Sequence, residues 1–169
     1  MLITPTYAAE QVRLHAVDPR FGAEGFLWAY QVAGIAALTG CRSILDYGCG
    51  KGTLAKALPG FDVREYDPGV PGKEAKAEPA DLVACLDVLE HIEPECLNDV
   101  MADLRRVTRK HLFAVVTTKP SGRIMSDGRD THICTNVVWP EMFKAYGFTI
   151  RQVWNNGLRQ WVALVDGAC

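Results

Sequence analysis

The feature that most constrains this chain is Asp46-Tyr47-Gly48-Cys49-Gly50-Lys51-Gly52, placed where a short strand, Ser43–Tyr47, gives way to a short helix, Thr53–Leu58. Glycines separated by single residues let the backbone turn through left-handed conformations and approach a ligand closely. A helix opening straight after such a turn presents free amides, which suit a carboxylate or a phosphate. Strand, glycine turn and helix in this order open a parallel α/β sheet that takes its ligand at the carboxyl ends of its strands.

The rest of the chain continues that pattern. Pro59-Gly60 stops the first helix, and Phe61–Tyr66 reads as a second strand. Leu82–Leu86 is an unbroken apolar run, as expected of a central strand covered on both faces. After Pro94, the residues Leu97, Val100, Met101, Leu104 and Val107 recur at helical spacing. A strand at His111–Thr117 and a helix at Pro140–Tyr146 follow. Strands at Thr149–Trp154 and Leu158–Val165 then flank Asn155-Asn156-Gly157, a hairpin signal. Two helices, Thr6–Val17 and Glu24–Thr39, precede the first strand and are separated by the turn Asp18-Pro19-Arg20-Phe21-Gly22, so they can cap the pocket. The predicted fold is α/β: a Rossmann-like, doubly wound, mostly parallel sheet with a C-terminal antiparallel hairpin. It forms a single domain over 1–169, with 1–40 as an N-terminal helical extension.

Composition narrows the class. A chain of 169 residues is the size of one domain. Hydrophobic residues at 49% and charged residues at 22% describe an ordinary globular protein. No apolar stretch approaches the roughly 20 residues that cross a bilayer, and residues 1–10 lack the order of a signal peptide, which predicts a cytoplasmic protein without a membrane partner. The six cysteines form no Cys-x-x-Cys pair and read as reduced thiols that fill the core. A net charge of -2 argues against strong nonspecific attraction to nucleic acid. It leaves room for a local patch such as Arg105, Arg106, Arg109, Lys110 and His111, a run that more often complements a helix dipole.

The glycine spacing distinguishes between cofactors. A nicotinamide site would need its third glycine at position 53, which is Thr53. The order acidic-x-Gly-x-Gly-x-Gly instead resembles the first motif of class I S-adenosylmethionine (SAM) dependent methyltransferases. That resemblance implies Asp46 near the amino group of SAM. Gly48, Gly50 and Gly52, with Tyr47 and Cys49, would line its methionine and ribose portions. A plain glycine-rich turn is the bland alternative. Asp67, ending the second strand beside Pro68, matches the family's acidic contact to the ribose hydroxyls, since a carboxylate can accept two hydrogen bonds. Glu65 would share its face and could serve instead, with Asp67 preferred. Asp87-Val88-Leu89-Glu90-His91 resembles a third family segment, placing Asp87 and Val88 on the cofactor side. One departure stands out. Residues 68–80, rich in Pro, Gly and Lys, are too few for the helix and strand the family usually carries there, along with its adenine contact. The middle of the domain is therefore shortened to a loop, and the sheet should lack a strand.

Asp87, Glu90 and His91, with His132 downstream in Asp127-Gly128-Arg129-Asp130-Thr131-His132, are suited to proton transfer or to metal binding. The arrangement is similar to small-RNA 3′-terminal 2′-O-methyltransferases and some quinone-pathway O-methyltransferases. That likeness implies a divalent metal, Mg, Mn or Zn, on Asp87, Glu90, His91 and His132. The bland alternatives are that Glu90 and His91 tie loops together and that Asp127, Arg129 and Asp130 form a charged turn. The segments together look like a group of small phage- and bacterium-encoded methyltransferase-like proteins. They imply SAM-dependent methyl transfer to an oxygen or nitrogen of a small-molecule acceptor, with Glu90, His91 and His132 as catalytic residues. The alternatives are a noncatalytic SAM or S-adenosylhomocysteine binding protein and a metal-dependent RNA 2′-O-methyltransferase.

Overall fold

A computed structural model describes residues 1–155 and 159–167. The chain runs α1 (Pro5–Val17), a 3₁₀ turn (Gly25–Trp28), α2 (Ala29–Thr39), β1 (Ser43–Tyr47), α3 (Thr53–Ala57), β2 (Asp62–Tyr66) and β3 (Ala80–Leu86). A second 3₁₀ turn (Leu89–His91), α4 (Pro94–Val107), β4 (Thr108–Thr117), α5 (Trp139–Ala145), β5 (Thr149–Asn155) and β6 (Gln160–Asp166) complete it. The sheet order is β2-β1-β3-β4-β6-β5. Pairing is parallel from β2 through β4 and antiparallel for β4–β6 and β6–β5, so the doubly wound fold with a reversed terminal hairpin is as the sequence predicts. The turn expected at Asn156-Gly157, and Leu158 with it, lies outside the described residues.

Alternation explains the two layers. Along β3, Leu82, Ala84 and Leu86 pack with Ile44, Phe113 and Val115 against Val32 and Ala36 of α2 and Leu54 of α3. Val83 and Cys85 point the other way, into Leu97, Val100, Met101 and Leu104 of α4 and Phe143 of α5. A strand buried on both faces needs apolar residues at every position, which is why its sequence shows no period of two. The cysteines at 41, 49, 85, 96 and 134 are unpaired and buried, as expected of core thiols.

Residues 67–79 hold neither helix nor strand, and β2 forms one edge of the sheet. The shortened middle region is thus present. The helix expected over Glu24–Thr39 is instead a 3₁₀ turn followed by α2, which ends at left-handed Gly40. A tertiary contact accounts for the break. The Phe26 amide donates to Thr53 Oγ1, and Gly25 lies against Leu54, which draws residues 25–28 onto the start of α3. Among the described residues no helix is long and apolar enough to cross a membrane.

Phe113 sits in the α2–α3 layer with its ring edge-on to Trp28 and Trp154. Phe113→Ala should cost about 3–5 kcal/mol, the usual range for deleting a buried aromatic ring, measured by denaturant unfolding.

Candidate active site

A cavity of about 940 Å³ opens beyond the carboxyl ends of β1, β3 and β4, and its lining includes α1 and residues 117–123. Gly48, Gly50 and Gly52 all adopt positive φ, at 78°, 50° and 66°. They turn the chain so tightly that its amides are spent inside the protein. Gly48 and Cys49 donate to the Tyr66 carbonyl, Lys51 to the Gly22 carbonyl, Gly52 to the Cys49 carbonyl and Gly50 to Asp67 Oδ2. The start of α3 is covered as well, by Gly25 and Phe26, with Thr53 Oγ1 donating to the Ala23 carbonyl. The expected anion-docking helix terminus is therefore closed, and the loop contributes shape rather than free donors.

The predicted cofactor residues divide around this loop. Asp46, Tyr47, Gly48, Cys49, Gly50, Asp67, Pro68, Asp87 and Val88 all line the cavity. Gly52 does not. A Cβ there would fall 1.9 Å from Glu65 Oε1, so its hydrogen makes room for a buttress beneath the loop. Glu65 pairs with Lys73 at 3.1 Å, and Lys73 also donates to the Gly50 carbonyl. The strand ends at Tyr66, which frees Asp67 for the cavity and leaves Glu65 under the glycine turn. Asp67 accepts from the Gly50 and Gly69 amides, each at 2.8 Å. Asp46 is buried; that burial, with Glu65 nearby, raises its carboxyl to about 7.

At the other end, Asp87 closes β3 with φ at 53°, a left-handed conformation that costs a non-glycine residue about 1–3 kcal/mol and is tolerated where neighbours fix it. They do so here. The Asp87 carboxylate accepts from Thr117 Oγ1 and Gln160 Nε2, and its amide donates to the Val115 carbonyl. Glu90 is fully buried behind the cavity wall, so it does not face the cavity as the sequence suggests. Its Oε1 accepts from the Thr117 amide, while Oε2 has no partner within the protein. Burial, and then the Asp87 charge, raise the Glu90 carboxyl above its ordinary range.

His91 and His132 meet with ring centroids 4.8 Å apart and both line the cavity. His91 Nδ1 lies 2.7 Å from the Thr131 carbonyl and His132 Nδ1 2.6 Å from the Lys119 carbonyl. A carbonyl only accepts, so each Nδ1 carries a proton and each Nε2 is the ring nitrogen left for another partner. Burial, and next the neighbouring His132, push the His91 imidazole down to about 4. Ligand atoms of Glu90, His91 and His132 lie within 4.8 Å of one another. Asp87 is not part of this group, because its carboxylate is turned to Thr117 and Gln160.

The Asp-Gly-Arg-Asp-x-His segment works by building this corner. Asp127 and Arg129 pair in an exposed turn around Gly128. Although burial raises Asp130, bonds from the His132, Ser121 and Gly122 amides and from Ser121 Oγ hold it at about 2. The basic run lies elsewhere: Arg106 pairs with Asp103, Lys110 with Asp81 and His111 with Asp166, around the amino end of β4.

The sequence matches no protein-family model and no curated protein. Solved structures do match. One is the 1,6-didemethyltoxoflavin-N1-methyltransferase of Burkholderia thailandensis, with S-adenosylhomocysteine bound, at 17% identity and TM-score 0.65 over 100% of this chain and 92% of that one. Another is the magnesium protoporphyrin IX methyltransferase of Synechocystis PCC 6803, with SAM bound, at 16% identity and TM-score 0.56 over 89% and 82%. A third is an rRNA methylase of Escherichia coli, at 16% and 0.55 over 98% and 78%. The fold is that of class I methyltransferases. Within this fold Tyr7, Gln11 and His15 of α1 also reach the cavity and were not among the residues expected there. Their four-residue spacing was a readable signal, since it places them on one helical face.

The proton on Asp46 carries a stability consequence. Its carboxyl titrates near 7 in the folded chain against an ordinary 3.8, so between those values the folded state holds more protons than the unfolded state. Stability therefore falls as pH rises through that window. Asp46→Asn, which mimics the protonated group, should flatten the slope of unfolding free energy against pH between about 4 and 7.

Proposed function

We propose that the protein binds SAM and transfers its methyl group to an oxygen or nitrogen of a small molecule held in the same cavity. The observation that carries this reading is that one cavity is lined by Asp46, Asp67 and the left-handed Gly48 and Gly50 together with the His91–His132 pair. SAM, when bound, supplies an electrophilic methyl group on a cationic sulfonium. Asp46 meets the cationic methionine end and gives up its proton there. Gly48 and Gly50 let that end approach the backbone, and Asp67 with Pro68 takes the ribose. Asp87 and Val88 complete the cofactor wall, while Gly52 shapes the loop from behind.

Methyl transfer requires mainly that the acceptor atom, methyl carbon and sulfur be held in line. His91 and His132 orient the acceptor through their Nε2 lone pairs and take its proton as the new bond forms. The enclosing cavity keeps water from competing. Glu90 acts from behind the wall, fixing the amide of Thr117 and, through its own carbonyl, the amides of Ile133 and Cys134.

A metal-assisted variant is favoured by one specific observation, the unpartnered Oε2 of Glu90 beside two imidazoles whose other nitrogens are already tied to carbonyls. This donor set fits Mn or Zn, with backbone carbonyls orienting both imidazoles. Glu90, His91 and His132 would hold the ion, which would acidify an acceptor hydroxyl.

Calorimetry tests the central reading. Native protein should bind SAM and S-adenosylhomocysteine, and Asp46→Ala should weaken SAM by roughly ten- to hundredfold, the loss of a charge-assisted hydrogen bond of about 1.5–3 kcal/mol. Native protein that binds neither would overturn it. Binding without methylation of any small acceptor or RNA would favour a sequestering protein. The metal variant predicts that Mn or Zn raises the melting temperature of native protein but not of His132→Ala, and an equal response in both would remove it.

A further inference from the structure

Three buried polar atoms on α1 have no hydrogen-bond partner among the described residues: Tyr7 Oη, Gln11 Nε2 and His15 Nδ1. They belong to residues four apart, hence to one face of the helix, and all three residues line the cavity. Tyr7 is 4% exposed and Gln11 9%. Leaving a buried donor or acceptor unsatisfied costs about 1–3 kcal/mol, so a row of them on residues that line a cavity points to a ligand that completes their bonds.

Their neighbours indicate which part of the ligand. Gln11 packs against the turn that carries Asp67: a Cβ on Gly69 would come within 2.7 Å of Gln11 Cβ, and the Gly69 amide bonds Asp67 Oδ1. His15 lies against Gly22 beside Gly50, packs its ring edge-on to Phe21 at 4.9 Å and feels the charge of Asp67. Its unpartnered Nδ1 is left for a ribose hydroxyl. Meanwhile the β2–β3 connection contributes only Pro68 and Gly69 to the cavity after Asp67, and neither has a polar side chain. Leu2, Val88, Ile92 and Val100 add apolar surface suited to the faces of a flat ring.

We propose that the Tyr7–Gln11–His15 face of α1 is the adenosine-reading wall of the cofactor site, replacing the contact that the shortened β2–β3 connection cannot make. This rests on the SAM reading above. The Gln11 carboxamide offers a donor and an acceptor side by side, the pattern that matches the amino group and adjacent ring nitrogen of adenine. Tyr7, one turn earlier, bonds a further edge of the base. His15 Nδ1 and the Asp67 carboxylate accept from the ribose hydroxyls.

The test compares S-adenosylhomocysteine with S-inosylhomocysteine, in which a carbonyl replaces the 6-amino group, by calorimetry on native, Gln11→Leu and Tyr7→Phe proteins. Native protein should prefer the adenosyl ligand by about tenfold or more, the weight of one hydrogen bond to a buried partner. Gln11→Leu should lose about tenfold toward S-adenosylhomocysteine and bring the two affinities close together, while its ligand-free melting temperature holds or rises. Tyr7→Phe deletes a single atom and should weaken S-adenosylhomocysteine severalfold without disturbing packing. If native protein binds S-adenosylhomocysteine and both variants keep its affinity and preference, the proposal is wrong. If native protein binds neither ligand, the SAM reading fails first and this one with it.

Discussion

Everything at the carboxyl end of the sheet depends on how closely Gly50 and Gly22 approach. A Cβ on Gly50 would sit 2.4 Å from the Gly22 carbonyl oxygen, the same oxygen that accepts from Lys51. That contact fastens the N-terminal segment to the glycine turn. Asp67 fastens the turn to the end of β2 through the Gly50 amide, and the Tyr66 carbonyl repeats the link through two more amides. The N-terminal segment, the glycine turn and the Asp67 carboxylate thus share one anchor. The glycines serve this close packing as much as any ligand.

The opposite corner is built on burial. Glu90 is fully buried, and it organises residues 117, 133 and 134 by accepting backbone hydrogen bonds with both its side chain and its carbonyl. Asp130 fixes the outer part of the same segment and so sets His132 against His91. Two carboxylates thus share the task of holding a pair of imidazoles at the cavity wall.

The sheet was legible in the sequence because its strands are marked by burial: Leu82–Leu86 could only be central, and Asn-Gly after Thr149–Trp154 could only close a hairpin. The shortened connection was legible by length alone. Side-chain direction was not. Whether Glu65 or Asp67 faced the cavity depended on β2 ending at Tyr66, and Gly52 lies against Glu65, which Lys73 holds beneath the loop. Helix α1 concealed its role for a related reason. Its polar residues look like a solvated face until residues 118–132 cover them, and only long-range contacts such as Ser126 to Glu10 reveal that cover.

That cover is fastened in a different way from the cavity's base. α1 is held by Glu10 to Ser126, Asp18 to Arg123 and Lys51 to the His15 carbonyl, contacts lying at or near the surface and partly ionic. Such pairs are weak singly and screened by salt. The seat of α1 over the cavity is therefore loosened by added salt, whereas the glycine turn beneath it, held by amides on the Tyr66, Gly22 and Cys49 carbonyls, is not.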